Sequence, residues 1–108
     1  MIRFVSALAL LALLLPANAE VASGSLFGTV FDVAGAAVPD TRILVRGIVE
    51  REAITGPDGA FRLSGLPIGE YRVVAEKSGF SVIQQTVNLT VNVLQLSFTL
   101  QPAAFLQV

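Results

Sequence analysis

Residues 55–73 read TGPDGAFRLSGLPIGEYRV, and this stretch decides the fold class because turn residues separate its short apolar runs. Pro57 suits the first central position of a type I turn, and Asp58 suits the second. Gly59 supplies the positive φ that the chain needs directly afterwards. We therefore expect a β-hairpin over residues 53–63, with Asp58 and Gly59 as structural turn residues.

A second turn is expected over residues 65–69, with Pro67 and Gly69 as its structural residues. Proline lacks the N–H group that a central strand donates, so the chain must turn there and re-enter a sheet near Tyr71. Short runs rich in β-branched and aromatic residues predict the strands, and no helical periodicity appears after residue 19. The predicted strands are residues 26–32, 41–47, 60–63, 71–76, 87–91 and 94–100.

The first 19 residues have the layout of a secretory signal peptide. Arg3 precedes an apolar run over residues 4–15, which Pro16 and the small residues around Ala19 follow. Twelve helical residues extend only about 18 Å, too short for a hydrocarbon core of about 30 Å. We expect cleavage after Ala19 and a single domain over residues 20–108, secreted or periplasmic, with no membrane span after cleavage.

The composition argues against several classes of function. The chain has no His and no Cys, so the commonest general base, the commonest zinc ligand and the thiol nucleophile are absent. Its formal net charge is −1 and its basic residues are scattered, which argues against nucleic-acid binding. Asp32, Asp40 and Asp58 lack the spacing of a calcium loop. We expect no enzyme, no metal and no cofactor.

Two further residues have structural interpretations. Asp32 ends the first predicted strand three residues before Gly35, where its carboxylate can accept hydrogen bonds from the turn backbone. Tyr71 alternates with Val73, which predicts a core ring with its hydroxyl at the edge of the fold.

Four segments in order resemble the carboxypeptidase regulatory-like domain. They are Leu26-x-Gly28-x-Val30-x-Asp32-x-x-Gly35-x-x-Val38-Pro39, Thr55-x-x-Asp58-Gly59-x-Phe61, Leu66-Pro67-x-Gly69-x-Tyr71-x-Val73 and Gly79-Phe80. The resemblance implies an all-β, seven-stranded antiparallel β-sandwich of the transthyretin-like (prealbumin-like) type, related to carbohydrate-binding-like folds. In that family the module is an accessory to zinc carboxypeptidases or to TonB-dependent outer-membrane receptors.

These observations favour an exported, non-catalytic module that acts in protein–protein interaction or structure at the cell envelope. Its partner would be an unidentified envelope protein or a second copy of the chain. Two alternatives remain open, a carbohydrate-binding module and a detached N-terminal domain of a TonB-dependent receptor. The absence of Trp and the single Tyr weaken the carbohydrate alternative, because sugar-binding surfaces usually present exposed aromatic rings.

The orientation of the first strand decides where a partner could bind. Hydrophobicity alone would bury Phe27 and Phe31, the largest apolar side chains of that strand. The family register instead places Leu26, Gly28 and Val30 inside, and a one-residue shift would reverse every side chain. Following the resemblance, we expect Phe27 and Phe31 to form an exposed apolar strip that docks a partner. By the same register Thr41, Ile43 and Val45 face inward, while Leu44 projects outward between Arg42 and Arg46.

Overall fold

The computed structural model describes residues 22–90 and 92–104. The predicted signal peptide and its cleavage site after Ala19 lie outside the described residues. No helix that could cross a membrane occurs in the described part of the chain. The seven strands are β1 (Ser23–Asp32), β2 (Arg42–Arg46), β3 (Glu50–Ile54), β4 (Ala60–Pro67), β5 (Gly69–Glu76), β6 (Ile83–Leu89) and β7 (Val93–Leu100).

The strands form two sheets that pack face to face around one apolar core. The three-stranded sheet has the order β4-β1-β7, and the four-stranded sheet has the order β3-β2-β5-β6. The expected all-β fold of seven strands is confirmed. The expectation of a purely antiparallel fold was wrong, because β7 pairs parallel with β1. The chain enters β7 from β6 in the other sheet, and this crossover allows β7 to run in the same direction as β1.

The predicted hairpin over residues 53–63 is not present as a strand pair. The turn itself forms, with Gly59 N–H donating to Gly56 O at 2.9 Å. However, β3 belongs to the four-stranded sheet and β4 to the three-stranded sheet, so the turn carries the chain from one sheet to the other. Turn residues specify that the chain reverses, but the choice of sheet depends on pairing with distant strands.

The first strand has the orientation that the family register predicts. Leu26 and Val30 are fully buried, whereas Phe27 and Phe31 alternate with them on the outer side. In β7, Leu96, Phe98 and Leu100 are likewise buried while the intervening residues are exposed. One face of each sheet therefore supplies the core, as strand alternation requires.

A β-bulge interrupts the pairing of β4 with β1. The register changes between Gly24 and Leu26 of β1, opposite Gly65 of β4, whose φ is 71°. The extra residue allows Leu63 and Leu66 both to face the core although they are three positions apart. The strand then continues to Pro67, four residues beyond the predicted end, and proline is tolerated because β4 lies at the sheet edge.

Two buried threonines close one end of the sandwich. The Thr55 hydroxyl accepts a hydrogen bond from Thr41 N–H and donates one to Val38 O, both at 2.8 Å. Thr41 and Thr55 are almost completely inaccessible. Because each polar atom has a partner, the chain can bury these hydroxyl groups without an unsatisfied donor or acceptor.

Candidate functional site

The outer face of the three-stranded sheet carries the two phenylalanines of β1. Phe27 lies between Arg62 of β4 and Gln95 of β7, its register partners. Phe31 lies beside Thr99 of β7. Both rings are half-buried rather than fully exposed, because neighbouring side chains on the pleated surface cover part of each ring. They face away from the core and remain accessible to a partner.

A groove of about 470 Å³ adjoins Phe27. Its walls include Arg62 of β4, Val93 of β7 and Ile54 of β3, so it extends from the face of the three-stranded sheet toward the edge of the other sheet. Ile54 and Val93 are each about half exposed, at 54% and 51%. Arg62 is exposed and makes no ion pair within residues 22–90 and 92–104. The groove therefore combines an apolar lining with one uncompensated cation.

Leu44 lies on a different surface. It is half-buried on the outer face of the four-stranded sheet, between Arg42 and Arg46. Arg42 contacts Glu52 at 2.8 Å, and its pKa is raised above the usual value chiefly by this hydrogen bond. Because the outer faces of the two sheets point in opposite directions, the structure does not bring Leu44 together with Phe27 and Phe31.

Asp32 and Gly35 form the turn that follows β1. One carboxylate oxygen of Asp32 accepts hydrogen bonds from the N–H groups of Ala34 and Ala36, each at 2.9 Å. The Gly35 N–H donates to Asp32 O at 3.0 Å. This geometry is an Asx-type turn, in which the side chain replaces backbone partners.

Asp58 and Gly59 lie in the turn between β3 and β4. The Asp58 carboxylate accepts a hydrogen bond from Ala60 N–H at 3.1 Å. Gly59 has a φ of 74°, and its carbonyl accepts a hydrogen bond from Val30 N–H at 2.8 Å. The turn is thereby attached to the C-terminal part of the first strand.

Pro67 and Gly69 flank the connection between β4 and β5. Pro67 is the last residue of β4 and Gly69 the first of β5. The Tyr71 hydroxyl donates a hydrogen bond to Pro67 O at 2.6 Å. Tyr71 is only 1% exposed, which confirms the predicted core ring, and burial raises the pKa of its hydroxyl.

The described surface carries apolar and cationic groups rather than a cluster of metal ligands. No group of three or more His, Cys, Asp or Glu side chains that could hold a metal occurs in the described ranges. The three described aspartates lie in loops or at a strand end. This surface presents the half-buried rings of Phe27 and Phe31, a groove beside Phe27 and the cation of Arg62.

Sequence reasoning did not find the groove. Ile54 lies in the predicted hairpin over residues 53–63 but belongs to β3 (Glu50–Ile54), whose first three residues were not predicted as strand. Arg62 was interpreted only as one of several scattered charges. Val93 could have been found, because extending the alternation of Gln95, Ser97 and Thr99 backward places it on the outer face. The proximity of Ile54 to Phe27 follows from sheet packing, which strand patterns do not reveal.

A family model described as the carboxypeptidase regulatory-like domain matches residues 25–101. No curated protein sequence matches the chain. Three solved structures with similar folds have low sequence identity, and each therefore shows likeness of fold alone.

The TIE protein of Bacillus anthracis is 21% identical with a TM-score of 0.62, over 77% of this chain and 17% of that one. The pilus 2b backbone protein of group B streptococcus is 16% identical with a TM-score of 0.65, over 78% of this chain and 43% of that one. Chlorocatechol 1,2-dioxygenase of Pseudomonas putida is 11% identical with a TM-score of 0.65, over 80% of this chain and 63% of that one. The chain thus spans less than two thirds of each of these proteins.

Proposed function

Because the chain belongs to the carboxypeptidase regulatory-like domain family, we propose that it is an exported, non-catalytic module for protein–protein interaction or structure at the cell envelope. The signal-peptide pattern of residues 1–19 supports export. The absence of His and Cys from the whole chain supports a role without catalysis. The match to a regulatory-like domain family is consistent with an accessory rather than a catalytic module.

The outward orientation of Phe27 and Phe31 carries this proposal. Half-buried aromatic side chains contribute large contact areas at interfaces with little loss of conformational freedom. The groove beside Phe27 has room for an apolar side chain, and Arg62 at its wall favours an acidic neighbour. We therefore expect a protein partner that presents an apolar residue next to a carboxylate.

The test is capture of envelope proteins on the immobilised chain. We compare the wild type, Phe27→Ser with Phe31→Ser, and Arg62→Glu. The matched control is Val33→Ser with Ile48→Ser, which removes two apolar side chains that are 58% and 63% exposed outside this face. A partner of the proposed site is retained by the wild type and the control, and both site variants weaken its retention about tenfold or more.

Three results would contradict the proposal. Retention that is unchanged in the site variants would place the contact elsewhere. Unfolding of the double phenylalanine variant in circular dichroism would show that the rings serve the core. Binding to a glycan array without any captured protein would favour the carbohydrate alternative instead.

A further inference from the structure

The edge of β7 lacks the charged residues that normally protect a sheet edge. Every charged side chain of the chain precedes residue 78. Strands β6 and β7 are outer strands of the two sheets and contact each other. One side of the sandwich therefore presents two uncharged edges. An uncharged edge strand offers its unpaired backbone groups to another strand.

The opposite side of the sandwich is protected. There β3 carries Glu50, Arg51 and Glu52, and β4 carries Arg62, a bulge and the terminal Pro67. Charges, bulges and proline are the features by which native proteins prevent pairing between edges. Their absence from β7 distinguishes this edge from β3 and β4.

The backbone groups that β7 leaves open can be located from its pairing with β1. Ser25 N–H donates to Asn92 O at 2.8 Å, and a parallel strand bonds to one neighbour through alternate residues. The backbone N–H and C=O groups of the even-numbered residues of β7 therefore face β1. The N–H and C=O groups of Val93, Gln95, Ser97 and Thr99 face the open edge.

The open segment has a definite end. Beyond Thr99, Gln101 O accepts a hydrogen bond from Ser81 N–H at 2.8 Å, and Ala103 N–H donates to Gly79 O at 2.9 Å. The loop before β6 thus occupies the edge after β7. Within the described residues, the segment available for pairing runs from Val93 to Thr99 and includes Ser97.

We propose that β7 pairs antiparallel with β7 of a second copy of this chain, about a twofold axis at Ser97. In this register Ser97 lies opposite itself and Gln95 lies opposite Thr99 on the outer face. Leu96 lies opposite Phe98 on the core face. Every pair matches polar with polar or apolar with apolar, and about six backbone hydrogen bonds form by the antiparallel rule.

The self-complementary register of β7 favours a second copy as the occupant, and the charge pattern distinguishes β7 from β3. The same twofold pairing of β3 about Arg51 would place Arg51 opposite itself and Glu50 opposite Glu52, and like charges directly opposite are destabilising. Pairing of β7 with itself has no such cost. The result is a closed dimer of the commonest symmetry, in which the two three-stranded sheets become continuous. This edge contact goes beyond the proposed function, which uses the outer face.

Sedimentation equilibrium tests the proposal. The chain is expressed from Met1 and purified in the form that the expression host produces. We expect the wild type to dimerise and Ser97→Lys to weaken the dimer about tenfold or more, because two lysines then face each other. Ser97 is exposed, so the variant should keep its circular dichroism spectrum and melting temperature. Ser64→Lys, an exposed position on the opposite edge strand, is the matched control and should dimerise normally.

A charge-complementation experiment shows whether a Ser97 variant loses the dimer because pairing between the β7 strands is disrupted or because the domain is misfolded. Ser97→Lys and Ser97→Asp are each expected to dimerise weakly, whereas their equimolar mixture should recover a heterodimer. The double variant of Phe27 and Phe31 should dimerise like the wild type, which distinguishes this edge from the partner surface. A monomeric wild type, normal dimerisation of Ser97→Lys, failure of the mixture to recover, or growth beyond dimers would each overturn the proposal.

Discussion

Gly59 is required for two reasons, its positive φ and the lack of space for a Cβ atom. Mutations can separate these two effects. Its φ of 74° disfavours any side chain, and a Cβ there would lie 2.6 Å from Val30 O. Gly35 has a similar φ of 86°, but no atom would lie within 4 Å of its Cβ. We expect Gly35→Val to cost about 1 kcal/mol from backbone strain alone. Gly59→Val should cost about 3 kcal/mol, because the clash adds to the strain.

Urea denaturation of the two variants gives the comparison. Equal losses of unfolding free energy would show that the turn can move away from β1. An unchanged midpoint for Gly59→Val would show that the turn is not of the observed type.

Thr55 holds the buried threonine pair together. Thr55→Val keeps the volume but leaves Thr41 N–H without its acceptor inside the protein. We expect a loss of about 2 kcal/mol of unfolding free energy, the usual cost of an unsatisfied buried polar group. Thr86→Val, at an exposed position of β6, is the control and should change stability by less than about 0.5 kcal/mol. A loss for Thr55→Val no larger than for the control would mean that water replaces the hydroxyl.

Tyr71 gives the stability a dependence on alkaline pH. Burial raises the pKa of the folded hydroxyl above its usual value of 10.0, so the folded state holds the proton more tightly than the unfolded state. The contribution is fully present below pH 10 and is lost as pH rises from there through the folded pKa. Tyr71→Phe should cost about 1 kcal/mol at neutral pH through the lost hydrogen bond to Pro67.

The pH effect is measured as the difference between wild type and Tyr71→Phe in urea melts. The difference should shrink above pH 10, since only the wild type loses this contribution. The chain has one Tyr, so tyrosinate absorbance reports its pKa directly. A pKa at or below 10 in the folded protein would contradict the prediction.

The alternation of β1 predicts losses of stability of different size at two adjacent positions. Val30 is fully buried and Phe31 faces outward. Val30→Ser should cost about 3 kcal/mol, because it removes core contacts and buries a hydroxyl. Phe31→Ser, although it removes the larger side chain, should cost less than about 1.5 kcal/mol. Thermal melts that reverse this order would mean that the strand is shifted by one residue.

Sequence patterns predicted strands better than their partners. The alternation of Leu96, Phe98 and Leu100 was sufficient for β7, and the family motif supplied the orientation of β1. The first part of strand β3 was missed because Glu50, Arg51 and Glu52 are charged, and single-sequence propensities do not associate such residues with strands. The parallel neighbour of β7 could not be predicted, because pairing between the first and last strands depends on how all the intervening strands pack.

The whole domain is expected to be released by cleavage after Ala19. Protein recovered from the exported fraction should therefore begin at Glu20, and intact-mass measurement checks this directly. Replacing the small residue before the cut, Ala19→Arg, should block processing. Recovery of exported protein that retains Met1 would contradict the signal-peptide interpretation.

When the whole molecule is considered, the sequence predicted only part of the candidate site. The resemblance correctly turned Phe27 and Phe31 outward, but Leu44 lies on the outer face of the other sheet. Register predicts the face of a sheet to which a side chain belongs. Which faces share one surface depends on the sheet that each strand joins, and strands β1 and β2 join different sheets.

The parallel contact between β1 and β7 has a mechanical consequence. Eight consecutive residues, Ser25–Asp32, are paired with Val93–Leu100. Tension applied before Ser23 and after Leu100 would pull these neighbouring strands in opposite directions along their length. The hydrogen bonds between them would then share the load in shear, instead of opening one after another from an end. A chain tethered at both termini would resist stretching through the contact between its first and last strands.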